Sequence, residues 1–220
     1  MPLFRELHVY EEAEGRAAAM NMAMDEALLE YVTVPSIRFY GWARRSLSFG
    51  YFGAFADVEP QLATREIVRR WTGGGIVRHG TDVTYSVILP RREGEALPRS
   101  QFIYSRIHSA IADALSPQLQ VEIAAADAPK VSAACFANPV AADVLVEGRK
   151  IAGAAQRRTR AGLLHQGSIQ LEALAPSFKA AFAEALSRCV ERCDYPAELL
   201  QRAQQLAQEK YGTDAWLRQR

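Results

Sequence analysis

Cysteine is scarce in this 220-residue chain: Cys135, Cys189 and Cys193 form an odd, sparse set. Such a set is no disulfide framework and fits reduced thiols in a cytoplasmic protein. Net charge is nearly absent too, since 26 Lys and Arg oppose 25 Asp and Glu for a formal +1. A balanced chain exerts no whole-protein attraction on nucleic acid or an anionic membrane, so any basic site must be local. The most apolar windows are broken by Arg, Glu or Gly well short of a bilayer span. The N-terminal MPLFRELHVYEEAEG carries Glu6, Glu11 and Glu12 and has no apolar core of the kind a signal peptide needs. Internal repeats, low-complexity segments and interdomain linkers are missing as well. Residues 1–220 therefore read as a single domain with no separate accessory domain, and 49% apolar with 23% charged residues suits a soluble globular core.

What is present centres on Arg69–Tyr85, RRWTGGGIVRHGTDVTY. Three consecutive glycines leave peptide N–H groups bare, so a ligand can lie against the backbone. The flanking arginines are suited to a carboxylate or phosphate. No Gly-Lys-Ser/Thr follows, which excludes the Walker loop, and the glycine spacing does not match the dinucleotide fingerprint. Taken alone, the glycines mark either a pocket wall or a tight bend.

Around this loop the patterns alternate irregularly between strands and helices. Leu3–Tyr10 reads as a first strand. Ala17–Tyr31 reads as a helix with Met20, Ala23, Met24, Ala27, Leu28 and Tyr31 on its buried stripe and Asn21, Asp25 and Glu26 off it. Ser36–Tyr40 and Ser46–Tyr51 look like strands paired across a turn at Gly41–Arg45, and Asp57–Ala63 like a short helix capped by Asp57. Thr84–Leu89 is a strand, Phe102–Leu115 a helix, Leu119–Ala124 a strand and Ala125–Pro139 a loop. Asp143–Glu147 and Lys150–Ala155 form a hairpin about Gly148-Arg149, and Leu163–Leu171 a further strand. Pro176–Cys193 and Pro196–Lys210 are helical by pattern. Several hairpins among the helices predict an α+β fold with a mainly antiparallel or mixed sheet packed by helices.

Five further features bear on the chemistry. Lys150 opens a strand continued by Ile151-Ala152-Gly153-Ala154-Ala155, small residues that leave room for a ligand, although a strand-end lysine also suits solvent. Cys135 lies in a loop near Lys130 in sequence. A cationic neighbour such as Lys130 or Lys150 would lower its pKa and favour the thiolate; the alternative is an inert buried thiol. Cys189 and Cys193, four apart on a helix with no histidine near, suit packing better than a metal. His79 and His165 each lie within two residues of a glycine, and Arg157-Arg158-Thr159-Arg160 is a basic run at a turn.

In this order, MNMAMDEALLE at 20–30, RRWTGGGIVRH at 69–79, GRKIAGAAQRR at 148–158 and LLHQGSI at 163–169 resemble the biotin/lipoate protein ligase catalytic domain family. The closer likeness is to lipoate–protein ligase A and the related cysteine-dependent octanoyltransferases. The resemblance implies a class II biotin-ligase-like α+β catalytic domain that attaches octanoyl or lipoyl groups to a lysine of a small lipoyl domain. It would make Arg70, Thr72, Gly73, Gly74 and Gly75 a wall of the acyl pocket, with Gly153 and Ala155 opposite and His79 and His165 lining it. Lys150 would be aimed at the acyl carbonyl. Ligases of the family use ATP and Mg to form an acyl-adenylate, and their glycine loop continues with His-Asp and Gly-Asn; here Gly80 and Asp82 follow His79 and no Gly-Asn pair occurs. The transferases instead place an Ala-Cys-Phe before the lysine, matched by Ala134-Cys135-Phe136, and need no cofactor. The resemblance thus implies a transferase with Cys135 and Lys150 catalytic. Its donor would be an acyl carrier protein. Its acceptor would be a lipoyl domain of a 2-oxoacid dehydrogenase complex or of the glycine cleavage H protein. An ATP-dependent ligase, a lipoyl-domain amidotransferase and a non-catalytic acyl-binding relative are the alternatives.

Overall fold

The computed structural model describes residues 2–129, 135–171 and 173–219, and of Cys135 the backbone alone. The chain begins with β1 (Leu7–Glu11), α1 (Ala18–Tyr31), β2 (Ser36–Tyr40) and β3 (Ser46–Phe49). Two 3-10 turns, Phe55–Asp57 and Glu59–Gln61, lead to β4 (Glu66–Arg69), β5 (Val77–His79) and β6 (Val83–Pro90). Next come α2 (Ser100–Leu115), β7 (Glu122–Ile123), β8 (Val144–Val146), β9 (Arg149–Arg158) and β10 (Gly162–Ile169). The last elements are α3 (Phe178–Leu186), β11 (Val190–Arg192), α4 (Ala197–Leu206) and α5 (Asp214–Arg218).

Eight strands form one mixed sheet in the order β11-β1-β2-β6-β10-β9-β8-β7, parallel from β11 to β2 and antiparallel beyond. A small second sheet, β4-β3-β5, carries the glycine loop between β4 and β5. The α+β class with helices on a mixed sheet is thus observed. Among the described residues, no helix is long and apolar enough to cross a membrane.

Period-two alternation divides the main sheet into two unlike faces. On one face Ile37, Phe39, Tyr85, Val87, Leu89 and Leu163 pack against α2 and α3. On the other, beneath α1, stand Arg38, Tyr40, Thr84, Ser86, Gln166 and Ser168, nearly all inaccessible to solvent. Asp25 of α1 gathers this set: its carboxylate accepts from Arg38 (2.8 Å), Ser86 (2.6 Å), Gln166 (2.7 Å) and Tyr40 (3.2 Å). Arg38 also holds Glu12 at 2.6 and 2.8 Å, so its guanidinium is neutralised from two sides. Burying a charge this deeply is tolerable only with such pairing.

α1 departs from the expected one-sided stripe. Asn21, Asp25 and Glu26 are buried with Met22 and Leu29, whereas Tyr31 is 44% exposed. The helix lies between the sheet and α4, so both of its sides are covered and a single apolar stripe has no meaning there. Glu26 faces α4's continuation, accepting from Lys210 (2.6 Å) and from the Tyr211 hydroxyl.

Three other expectations fail for a common reason: tertiary pairing overrides local pattern. β2 and β3 are not partners, because β2 pairs with β1 and β6 while β3 joins the small sheet. Asp57 caps no helix, and its segment forms the two 3-10 turns. The helix expected to run to Cys193 stops at Leu186, since Val190–Arg192 is captured as a parallel edge strand by β1. Cys189 and Cys193 therefore flank a strand, as free thiols. The expected strand at Leu119–Ala124 shrinks to Glu122–Ile123, and the expected hairpin forms with its turn one residue earlier, at Glu147 and Gly148, whose φ are 51° and 71°.

Candidate active site

A narrow cleft opens on the polar face where β5, β9 and β10 converge. Its lining includes Trp42, Ser48, Arg70, His79, Gly153 and Ala155, and its free space is about 30 Å³. The wall on the small sheet is a continuous hydrogen-bond chain. Asp82 accepts from His79 Nδ1 (2.8 Å), Ser168 (2.6 Å), Thr84 (2.9 Å) and the Gly80 amide (3.0 Å). A carboxylate in this setting can only accept, so Nδ1 carries the imidazole proton and Nε2 is left as an acceptor. Ser48 lies 2.7 Å from Nε2 and donates to it, while Arg70 donates to the same hydroxyl at 2.7 Å.

Burial would by itself raise the Asp82 pKa, but the bonds from His79, Ser168 and Gly80 outweigh it and hold the carboxyl below its ordinary value. Burial also lowers the His79 pKa despite Asp82, so the ring stays neutral. Trp42 stacks on it with ring centroids 3.9 Å apart and donates its indole N–H to Thr84 at 2.8 Å. The departures at positions 80 and 82 have a structural consequence: Asp82, two residues beyond Gly80, folds back to supply the carboxylate that orients His79.

The glycine loop itself divides its labour. Gly74 lines the cleft, whereas the carbonyls of Gly73 and Gly75 accept from Arg70 at 3.0 and 2.8 Å. Thr72 is buried behind the wall and donates to Gln166 at 2.7 Å. Arg69, expected beside a ligand, turns the other way: its guanidinium donates to the carbonyls of Tyr51, Gly53, Trp216 and Leu217, tying β4 to α5.

The opposite wall is β9. Lys150 is buried, its ammonium 2.7 Å from Asp143 and 5.6 Å from the centre of the Phe136 ring. Asp143 is anchored by the Tyr104 hydroxyl (2.5 Å) and the Val140 amide (2.7 Å). The lysine bends directly over Gly153: a Cβ there would stand 2.3 Å from Cε and 2.7 Å from Nζ. Any side chain at 153 would displace it, which is why the cleft wall is bare at this point.

One expected site residue falls elsewhere. The His165 ring lies on the apolar face, accepting from Gln156 at Nδ1 (3.0 Å) and facing the Tyr85 hydroxyl at 3.3 Å, because β10 alternates and Gln166 takes the cleft side. Burial, and then neighbouring His108, drive its pKa well below the ordinary value. The Cys135 side chain and Lys130 lie outside the described residues; the Cys135 backbone opens the short turn Cys135–Ala137 ahead of Phe136. Sequence reasoning missed Ser48, Asp82, Asp143 and Gln166 as participants. The hairpin did hold one signal, since a two-residue turn at 147–148 returns β9 alongside β8 and brings Asp143 near Lys150.

The fold is that of the lipoate-protein ligases. A lipoate-protein ligase A solved with ATP superimposes with a TM-score of 0.75 at 20% identity, covering 99% of this chain and 98% of that one. The bipartite lipoate protein ligase of Thermoplasma acidophilum, solved in a study that included its E2 lipoyl domain, gives 0.68 at 20% over 97% and 96%. Residues 17–210 match the model of the lipoyl protein ligase A/B catalytic domain, and the chain belongs to that family. Among curated relatives, the octanoyltransferase LipM of Halalkalibacterium halodurans is 35% identical over 73% of this chain and 64% of its own length. That of Geobacillus kaustophilus is 38% identical over 70% and 62%. The chain thus spans a little under two thirds of these relatives, whereas with the LipM of Anoxybacillus flavithermus the match is 31% over 96% and 98%.

Proposed function

We propose that this protein is an octanoyltransferase of protein lipoylation, working through a thioester on Cys135. The observation that carries the proposal is the seat of Lys150, a buried ammonium folded over Gly153 where the acyl cleft ends. Likeness to relatives named octanoyltransferase supports the choice of acyl group.

In the first step the Cys135 thiolate attacks the carbonyl carbon of an octanoyl thioester on an acyl carrier protein. The carrier's C–S bond breaks, and its sulfur leaves and takes up a proton as the thiol. In the second, the amine of a lipoyl-domain lysine attacks the enzyme thioester, loses a proton, and releases Cys135 as the amide forms. The first exchange is close to isoenergetic and the second runs downhill, so no ATP is consumed. Lys150 polarises the carbonyl oxygen as negative charge develops, a contribution of about 3 kcal/mol in comparable sites. The acyl chain lies between Gly74 and Ala155, whose walls part to admit it, and Arg70 with its Ser48–His79–Asp82 support fixes one side. The free thiols Cys189 and Cys193 fit a cytoplasmic setting.

The test is a donor panel with and without ATP, read by mass on the enzyme and on a lipoyl domain. Octanoyl carrier protein should leave one octanoyl group on Cys135 and then on the acceptor lysine, with no ATP present. Cys135→Ala should abolish both adducts. Transfer that requires ATP and releases AMP, or full activity of Cys135→Ala, would overturn the proposal.

A further inference from the structure

Outside the acyl cleft, on the far side of Lys150, an open groove of about 620 Å³ runs between β5 and β9. Its cationic lining is Arg78, Arg149 and Lys150, its apolar lining includes Ile76 and Phe136, and among the described residues no carboxylate lines it. Arg78 and Arg149 are exposed, and among the described residues neither has a carboxylate at ion-pair distance. In a chain of formal charge +1, two exposed arginines with no acid beside them among the described residues, next to a lysine already paired with Asp143, are a local departure from the average.

The groove and the acyl cleft share the same two strands. Val77 and Gly153 face the cleft, while their near neighbours Arg78 and Ile151 face the groove. Lys150 stands at the junction, lining the groove and bending its ammonium over Gly153. The Cys135–Ala137 turn supplies Phe136 and Ala137 to the same groove.

Building on the transfer reaction above, we propose that this groove holds the donor's thiol arm. A thioester drawn across the junction has its acyl chain in the cleft, its carbonyl at Lys150 and its sulfur side in the groove. The arm that follows the sulfur on an acyl carrier protein is a slender amide-linked chain ending in a phosphodiester. A groove lined by apolar side chains and two guanidinium groups matches both parts, because planar Arg donors bind phosphate oxygens in pairs. The occupant is thus the carrier-borne phosphate arm, and Arg78 and Arg149 are its anchors.

Three octanoyl donors test this on the intact enzyme: the carrier protein, the coenzyme A thioester with the same phosphate-bearing arm, and the N-acetylcysteamine thioester, which keeps the sulfur end and lacks the phosphate. In Arg78→Ala/Arg149→Ala, KM for the carrier and coenzyme A donors should rise about tenfold with kcat unchanged, as expected on losing charge-assisted phosphate contacts. Transfer from the N-acetylcysteamine thioester should be unaltered. An equal loss with all three donors, or no loss with the carrier, would overturn the proposal. So would a loss confined to the carrier and absent with coenzyme A, since the arginines would then read the carrier's protein surface. If the wild-type enzyme is acylated by none of the three, the transfer reaction itself falls, an outcome distinct from any arginine effect.

Discussion

The two faces of the main sheet solve opposite problems. Beneath α2 and α3 the sheet presents Phe39, Val87, Leu89 and Leu163, and stability there comes from apolar area removed from water. Beneath α1 it presents Arg38, Ser86, Gln166 and Ser168, whose burial is tolerable only because Asp25, Glu12 and Asp82 take up their donors. The cleft lies on the polar face, yet its lysine is held from the apolar side, through Asp143 and Tyr104 of α2. The two meet at Gly153, where the missing side chain lets Lys150 bend across the strand. A preorganised cation at a narrow cleft is thus a joint product of both faces.

Cutting that link should have the largest effect. Lys150→Ala removes the cation proposed to polarise the acyl oxygen and should lower kcat by about 10²–10³. It also leaves Asp143 buried without its cation, at a cost of about 3 kcal/mol in urea unfolding. The double variant Lys150→Met/Asp143→Asn, with neither charge, should recover most of that stability and none of the activity. Stability and activity recovering together would mean that the pair serves folding alone.

The apolar face should fail next, and by pH. His108 is buried against α2's neighbours and held neutral, its pKa lowered by burial to about 4. Unfolded, the ring titrates near 6.5, so between about pH 6.5 and 4 the unfolded chain binds the extra proton and the fold loses stability as pH falls. The loss by pH 4 should approach ~3 kcal/mol. Asp82 acts in the same direction at more acid pH: its lowered carboxyl contributes stability above its unfolded value, lost as pH falls further through its folded value. Urea midpoints at several pH values should therefore fall through this window in the wild type and fall less in His108→Gln.

The polar face should show the smallest and most specific effect. Asp82→Asn sets an amide N–H₂ among donors from His79, Ser168 and Thr84, at an expected cost of about 1–3 kcal/mol. It also frees the His79 tautomer and loosens the Ser48–Arg70 chain. If this wall holds the acyl chain and not the reacting carbonyl, as proposed, KM for the acyl donor should rise more than kcat falls. An effect on kcat alone would erase the distinction between the two walls.

Local chemistry along the chain was enough to locate much of this. The hairpin about Gly148 was legible because a two-residue turn between short strands has few backbone solutions. The stretch from Arg69 to Tyr85 was legible because three glycines serve few other purposes, and four ordered motifs gave the family. Tertiary structure decided what a one-dimensional pattern cannot carry. Whether α1 was covered on one side or two set the fate of Asp25, and strand capture by β1 turned Val190–Arg192 from helix to edge strand. Which face of β10 met the cleft chose Gln166 over His165, since adjacent strand residues point oppositely. Sequence determined which groups were available; contacts between residues far apart in the chain decided which of them face one another. Burial and electrostatic pairing depend on those contacts, so Arg69 became a tie to α5 while Arg70 remained in the site.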